Sequence, residues 1–164
     1  MQRVTLVRRV MSDENVFRSL EAEQLERLAL QHGFKRKRPR NWVRRTTDFV
    51  QMVNLQRSQW SEERYLNFAM WALALGEPPT FVEYKFHFRT RGQHMAPDLE
   101  GFFSVADRLR TLDDVRAATA SGPGRISCLM NGPLQALLSR PGRLLSDESA
   151  ERRDPAPHPR AENN

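Results

Sequence analysis

Residues 49–75 of the chain read FVQMVNLQRSQWSEERYLNFAMWALAL, and this stretch decides the fold. Aliphatic and aromatic residues at its two ends favour strands over Phe49–Arg57 and Tyr65–Leu75, joined by a polar connection. The second strand carries the longest apolar run of the chain, Phe68–Leu75, which predicts that it lies at the centre of an antiparallel sheet. This run of eight residues is far shorter than the roughly 20 that a membrane-spanning helix needs.

Shorter strands are predicted on both sides of this pair. Pro39 marks a turn between strands over Phe34–Arg38 and Trp42–Arg45. Downstream, residues 82–89 alternate apolar and polar side chains, which predicts a further strand with one buried face and one solvent-facing face. The sheet is therefore expected to contain about four to five strands.

Helices are predicted before and after the strands. Apolar residues recur at helical spacing over 13–32, with Ser12 as the N-cap and Gly33 as the stop. Thr111 begins a capped helix that reaches about Ser121, and Pro133 suits the start of a last short helix. This order indicates an α+β fold, with an N-terminal helix, an antiparallel sheet and C-terminal helices. The fold of residues 93–130 is left open.

The chain divides into three segments. Residues 1–11 are expected to be a disordered leader or the product of an upstream start, because Met11 is followed by a helix-start signal. Residues 12–140 are predicted to form a single α+β domain. Residues 141–164 are rich in proline and charge and almost lack apolar residues after Leu145, which predicts a disordered tail.

The chain is basic, with a net charge of +6 and a pI of about 10.4. Residues 33–45 carry seven cations and no acid. A cationic hairpin that contains an aromatic side chain can track a phosphate backbone and stack a base. The alternative is a solvated edge strand whose charge is offset by the acidic helix over 13–32. The nucleic-acid hypothesis rests on Lys35, Arg36, Lys37, Arg38, Arg40, Trp42 and Arg44.

A polar set interrupts the two central strands. Asn54 and Gln56 share one strand face with Val50 and Met52, and Asn67 lies on the next strand. Amides offer both donors and acceptors, so these side chains could grip a ligand or the backbone of a partner. The alternative is a buried hydrogen-bond network that holds the strand register. A pocket on this face is predicted to comprise Asn54, Gln56, Asn67, His87 and Arg89.

Two weak patterns could support catalysis. Glu83-Tyr84-Lys85 with Asp48 upstream is similar to the acid-x-lysine pattern of metal-dependent nucleases, in which carboxylates hold Mg²⁺ and a lysine orients water. Cys128 with His87 or His94 could form a nucleophilic pair, but its apolar neighbours favour a buried, inert thiol. No phosphate-binding loop, hydrolase motif or histidine ligand spacing occurs. We therefore predict no catalytic residues, no metal site and no cofactor, and favour a protein that is not an enzyme.

An ordered series of short motifs resembles a bacterial family. It comprises His32-Gly33-Phe34-Lys35-Arg36-Lys37, Trp42-x-Arg44, Val53-Asn54-Leu55-Gln56-Arg57-Ser58 and Tyr65-Leu66-Asn67. In this order the motifs resemble the family filed as domain of unknown function 4304, most closely over residues 12–92. The resemblance implies an α+β fold and supplies no activity.

Together these observations favour a cytoplasmic, non-catalytic binding module for a protein partner, of an immunity or regulatory type in a bacterial defence locus. The lack of catalytic motifs and the polar strand face support this hypothesis. The alternatives are sequence-nonspecific nucleic-acid binding through the basic hairpin 35–45 and, less favoured, a metal-dependent nuclease. No membrane association is expected, and the oligomeric state is left open.

Overall fold

A computed structural model describes residues 17–140, and these residues form an α+β fold. The class predicted from the sequence is confirmed, with one strand more than the upper end of the prediction. The predicted leader over 1–11 and tail over 141–164 lie outside the described residues. The strands are β1 Lys35–Arg38, β2 Asn41–Arg45, β3 Phe49–Arg57, β4 Arg64–Ala72, β5 Phe88–Arg91 and β6 Leu129–Met130; the helices are α1 Ala22–Gln31, α2 Leu99–Arg108, α3 Leu112–Thr119 and α4 Gly132–Ser139.

The strands form one antiparallel sheet whose spatial order, β1 to β6, is the order of the chain. The pair β3–β4 lies at its centre, in unbroken register from Phe49 opposite Ala72 to Arg57 opposite Arg64. The predicted central position of this apolar strand is confirmed. The strand ends at Ala72, because Leu73 to Leu75 turn into a 3₁₀ helix whose first N–H bonds back to the Asp48 carbonyl.

The two sheet faces differ in what covers them. All four helices pack on one face, where their apolar side chains join those of the strands in a single core that includes Phe34, Trp42, Phe68, Phe102 and Phe103. The opposite face carries a smaller cluster of Val50, Met52, Ala69 and Phe86, against which Trp71 and Phe81 pack. This second face is covered only in part, by the connection between β4 and β5, and it carries the polar set predicted from the sequence.

The first helix is shorter than predicted. It begins at Ala22, residues 17–19 form a turn, and the predicted part over 13–16 with its N-cap Ser12 lies outside the described residues. The reason lies in β4, because the Arg64 N–H binds the Arg18 carbonyl at 3.1 Å and the Arg64 guanidinium binds the Leu20 carbonyl at 2.7 Å. A helix through this segment would use those carbonyls for its own hydrogen bonds. Gly33, at a φ of 78°, ends the helix as predicted.

The predicted strand over 82–89 is wrong. Glu83 to Lys85 form a 3₁₀ turn, and the strand in this region is β5, which begins at Phe88. The backbone at Phe81 is drawn to β2 because its carbonyl accepts a hydrogen bond from the Asn41 amide at 3.0 Å. Ladder pairing to β4 then starts only at His87, whose N–H binds the Met70 carbonyl at 3.1 Å.

The C-terminal region combines confirmed and unpredicted elements. The helix predicted from Thr111 is α3, with a capping box between Thr111 and Asp114, and the helix predicted at Pro133 is α4. The strand β6 and the helix α2 lie in the segment that the sequence left open. No helix among residues 17–140 is long and apolar enough to cross a membrane.

Candidate functional site

A line of polar side chains crosses the partly covered sheet face, with one residue on each of four neighbouring strands. Arg91 on β5 donates to the Asn67 Oδ1 at 2.8 Å, and the Asn67 Nδ2 donates to the Asn54 Oδ1 at 2.9 Å. The Asn54 Nδ2 then donates to the Asn41 Oδ1 at 2.6 Å, and Asn41 donates to the Phe81 carbonyl. We call these four side chains, with their bonds, the amide relay.

The amide relay connects residues that face each other in the strand ladder. Asn41 is opposite Asn54, Asn54 is opposite Asn67, and Asn67 is opposite Arg91. Every bond in the relay runs in the same direction, so each polarises the next. Asn41 and Asn67 are buried, and an unpaired buried amide costs about 1–3 kcal/mol. A one-residue slip of any strand would break the relay, so the relay helps to hold the strand register. This is the alternative role that the sequence analysis gives for the polar set.

A cavity of about 320 Å³, the amide cavity, opens beside the relay. It contains three of the five residues predicted for a pocket on this face, Gln56, Asn67 and Arg89. Asn54 belongs to the relay but does not line the cavity. The other lining residues are Glu83, Thr90, Arg91, His94, Ser127, Cys128 and Leu129.

His87, the fifth predicted residue, lies in the structural part of this face. It is buried, its ring centroid is 3.9 Å from that of Trp71, and its Nδ1 accepts a hydrogen bond from the Ala72 N–H at 3.0 Å. Burial lowers the pKa of His87. His87 lines a second cavity of about 350 Å³ on the other side of Arg89.

Arg89 lies between the two cavities and lines both. It is half-buried, and its guanidinium has no hydrogen-bond or ion-pair partner among residues 17–140. Two large apolar side chains project next to it, Tyr84 with 61% and Leu129 with 65% of their surface exposed. We call Tyr84, Arg89, Leu129 and the amide cavity the Arg89 surface.

The catalytic candidates are not assembled into a constellation. Glu83 lies on a turn instead of a strand, and the Asp48 carboxylate accepts a hydrogen bond from the Leu112 N–H at 2.8 Å, so it holds the start of α3. Cys128 and His94 both line the amide cavity, but burial raises the pKa of the Cys128 thiol despite the opposing charge of Arg125. Within the described part of the chain, no group of three or more metal-ligating side chains occurs.

The basic hairpin divides into paired and unpaired cations. Trp42 is 0% exposed, so its ring is not available to stack a base. Arg36 pairs with Glu26 of α1 at 3.3 Å, and the next residue, Lys37, lies 5.0 Å from the centre of the Phe81 ring. Lys35, Arg38 and Arg40 are exposed and have no ion-pair partner among residues 17–140.

Arg44 is the hairpin cation whose environment differs most from the sequence prediction, because it is buried and paired instead of available to a nucleic acid. Its side chain is only 8% exposed, and it donates to Gln51 at 2.7 Å, to the His32 carbonyl at 2.7 Å and to the Asp107 carboxylate. Burial lowers the pKa of Arg44, although Asp107 opposes this effect. Burial alone would raise the pKa of Asp107, but hydrogen bonds from Arg44 and His32 outweigh it and lower that pKa. Arg44 therefore joins β2 to α2, which was not predicted.

Sequence reasoning also missed Arg91 and the Ser127–Leu129 wall of the amide cavity. Arg91 follows Arg89 at a spacing of two on the same strand, so a correct position for β5 would have placed both on one face. Ser127 and Cys128 precede β6 and only Leu129 belongs to it, and a strand of two residues has no periodic pattern to predict it.

Comparison with known proteins agrees with the resemblance drawn from the motifs. The family model described as Domain of unknown function (DUF4304) matches residues 25–120, which is more than half of the chain and spans α1 to α3. The match starts later and extends further than the motif region over 12–92. No curated protein and no solved structure matches the chain. The chain therefore belongs to the family described as Domain of unknown function (DUF4304).

Proposed function

We propose that the chain is a non-catalytic binding module that holds an acidic segment of a protein partner on the Arg89 surface. The observation that carries this proposal is the unpartnered guanidinium of Arg89 between two cavities. An arginine fork can bind a carboxylate through two parallel hydrogen bonds, which a lysine cannot do. The surface would thus select a partner that presents aspartate, glutamate or a chain terminus.

The charges around Arg89 support an acidic partner. Three cations line the two cavities, Lys85, Arg89 and Arg91, and the only carboxylate among the described lining residues is Glu83. Arg91 is held in place by Asn67 and by the Tyr65 ring, whose centre lies 4.7 Å from the guanidinium carbon. A fixed positive field steers association and disfavours basic partners.

The apolar residues of the surface support a macromolecular partner. Tyr84 and Leu129 are large and mostly exposed, and both line the cavity of about 350 Å³ that Arg89 and His87 also line. Arginine and tyrosine are enriched among the few residues that carry most of the binding energy in protein interfaces. A small anion would use Arg89 alone, whereas a protein segment would also bury Tyr84 and Leu129.

The proposed role is regulatory or immunity-type, in the bacterial cytoplasm. The amide relay supplies a rigid platform for such a role, because its side chains are already ordered before a partner binds. The single cysteine of the sequence has no second cysteine with which to form an internal disulfide, which suits a reducing compartment.

The test is affinity purification of the full chain from its host with two matched pairs of variants. Arg89→Glu is compared with Arg27→Glu, which makes the same charge change at an exposed position of α1. Tyr84→Ser/Leu129→Ser is compared with Leu30→Ser/Trp60→Ser, which removes two exposed apolar side chains elsewhere. Recovery is measured by quantitative mass spectrometry.

The proposal predicts a protein that wild type and both control variants recover equally, and that each surface variant recovers at least about tenfold less. Added salt should weaken the association, because the contact is partly ionic. Equal recovery by Arg89→Glu and Arg27→Glu, or no recovered protein at all, would overturn it.

A further inference from the structure

A cavity of about 720 Å³, the hairpin cavity, lies at the open end of the β1–β2 hairpin and is separate from the Arg89 surface. Its walls come from the end of α1, from the hairpin, from the β2–β3 turn, from residues 77–81 and from Arg110 in the connection between α2 and α3. Its volume falls within the range of about 300–1,000 Å³ that is usual for ligand pockets. The cavity is lined by none of Tyr84, Arg89 and Leu129.

Positive charge dominates the lining of the hairpin cavity. Among the described residues that line it, Glu77 is the only acid, and its carboxylate is taken by Arg45 at 2.6 Å. Bringing like charges together is unfavourable unless an anion or solvent compensates them. The lining cations are Lys35, Arg36, Lys37, Arg44, Arg45 and Arg110.

Three of these cations have no carboxylate partner in the described part of the chain. Lys35 has no side-chain contact of this kind, and Lys37 contacts only the face of the Phe81 ring, which also lines the cavity. Arg110 donates its Nε–H to the Asp107 carbonyl and its backbone N–H to the Asp114 carboxylate at 3.0 Å, but its guanidinium forms no ion pair with a carboxylate of residues 17–140. The three come from two separate elements and meet at one cavity.

Arg44 adds a buried positive charge to the wall of the same cavity. Its Nη1 and Nε are bonded, and its guanidinium carbon lies 4.3 Å from the centre of the Phe34 ring. Its Nη2 has no hydrogen-bond partner among residues 17–140 and is buried, so a ligand in the cavity meets the charge of Arg44 and not this donor. Burial lowers the pKa of Arg44 and the charge of Arg110 lowers it further, so both cations add to the positive potential of the cavity.

We propose that the hairpin cavity binds a phosphate group, held by Lys35, Lys37 and Arg110 with Arg44 behind them. A phosphate offers several acceptor oxygens and more than one negative charge, so it can satisfy several of these donors at once. The cavity is large enough for a nucleoside phosphate or for one segment of a nucleic-acid strand. Both share this phosphate chemistry.

The experiment is calorimetric titration of the full chain with inorganic pyrophosphate at low salt, followed by competition with a short oligo-dT. The hairpin itself supplies a matched pair of variants. Lys35→Gln/Lys37→Gln removes two exposed charges that line the cavity, and Arg38→Gln/Arg40→Gln removes two exposed charges that do not. Arg110→Gln tests the contribution of the connection between α2 and α3, which supplies Arg110 to the cavity.

We expect pyrophosphate to bind the wild type, and the affinity to fall at least about tenfold in Lys35→Gln/Lys37→Gln and in Arg110→Gln. We expect wild-type affinity for pyrophosphate in Arg38→Gln/Arg40→Gln and in Arg89→Glu. Unchanged binding by Arg89→Glu would show that the site is separate from the Arg89 surface. Displacement of pyrophosphate by oligo-dT would identify a nucleic-acid strand as a source of the phosphate, and a failure to displace it would identify a free phosphate compound.

Two results would overturn the proposal. One is no heat of binding for pyrophosphate at low salt. The other is an equal loss of affinity in the two hairpin double variants, because that would show attraction to the general charge of the hairpin and not to the cavity. A matching thermal midpoint for each variant verifies that the substitutions leave the fold intact.

Discussion

The Asn67 side-chain Nδ2 on β4 donates to the Asn54 side-chain Oδ1 on β3 across 2.9 Å, at a position where the two residues face each other in the ladder. Asn67 also accepts a hydrogen bond from Arg91 and donates to Gln56 at 3.2 Å. This one buried amide therefore connects three strands of the sheet and borders the amide cavity.

Asn67→Ala should lower the free energy of unfolding by about 2–3 kcal/mol, because it leaves Arg91 and Asn54 without their partner in the relay. Urea denaturation measures this change. Gln56→Ala is the control, because Gln56 lies at the exposed end of the same set and should cost less than about 1 kcal/mol. An equal cost at both positions would contradict the role of the relay.

Asp107→Ala should destabilise the protein by about 2–3 kcal/mol. The reason is that Arg44 is left charged and largely buried, while the loss is smaller than for a fully buried pair because a third of Asp107 is in solvent. Asp113→Ala removes the exposed partner of Arg116 and should cost less than about 1 kcal/mol. Thermal and urea unfolding of both variants provide the comparison.

Stability should fall as the pH drops below about 6.5, the pKa of histidine in an unfolded chain. The pKa of His87 is lowered by burial in the folded state, so below that pH the unfolded state binds more protons than the folded state. The contribution is fully present above the unfolded pKa and is lost as the pH falls towards the folded pKa. Unfolding free energies measured from pH 8 down to pH 5 should show this slope.

His87→Gln should flatten that slope, because it removes the titrating group. His94→Gln, at an exposed position, is the matched control. A slope that persists in His87→Gln would assign the effect to another group.

Alanine should be destabilising at Gly92. A Cβ at Gly92 would lie 3.1–3.2 Å from side-chain atoms of Leu66, a buried core residue, so Gly92→Ala should cost about 1–3 kcal/mol. Differential scanning calorimetry measures this shift, and a Gly92→Ala variant as stable as the wild type would refute the contact argument.

The elements that the sequence predicted well are those whose pattern is local and whose neighbours follow directly in the chain. The strands β3 and β4 carry strong apolar patterns and pair with each other, and α3 carries its own capping box at Thr111 and Asp114. The segment 82–89 has an equally clear alternation, and the strand predicted from it is nevertheless wrong. Its backbone is held by Asn41, 40 residues away, and local periodicity contains no information about that bond.

The candidate site divides in the same way. The sequence predicted that Gln56, Asn67 and Arg89 line a pocket on the sheet, because side-chain alternation along a strand is set by the backbone. Arg44 is buried against Asp107, whereas Arg38 is exposed. The sequence could not distinguish them, because it does not show which arginine of the hairpin meets a carboxylate from a distant helix.

The sequence by itself determined the α+β class, the central strand pair, the family and the presence of a basic hairpin, since each follows from periodicity, capping or ordered local motifs. Only the tertiary structure decided which cations form ion pairs, which polar residues form the amide relay and where the amide cavity and the hairpin cavity open. These properties depend on pairings between residues far apart in the chain, such as Arg44 with Asp107 and Asn67 with Arg91. A hydrogen bond or ion pair of this kind forms only after the sheet has brought its partners together.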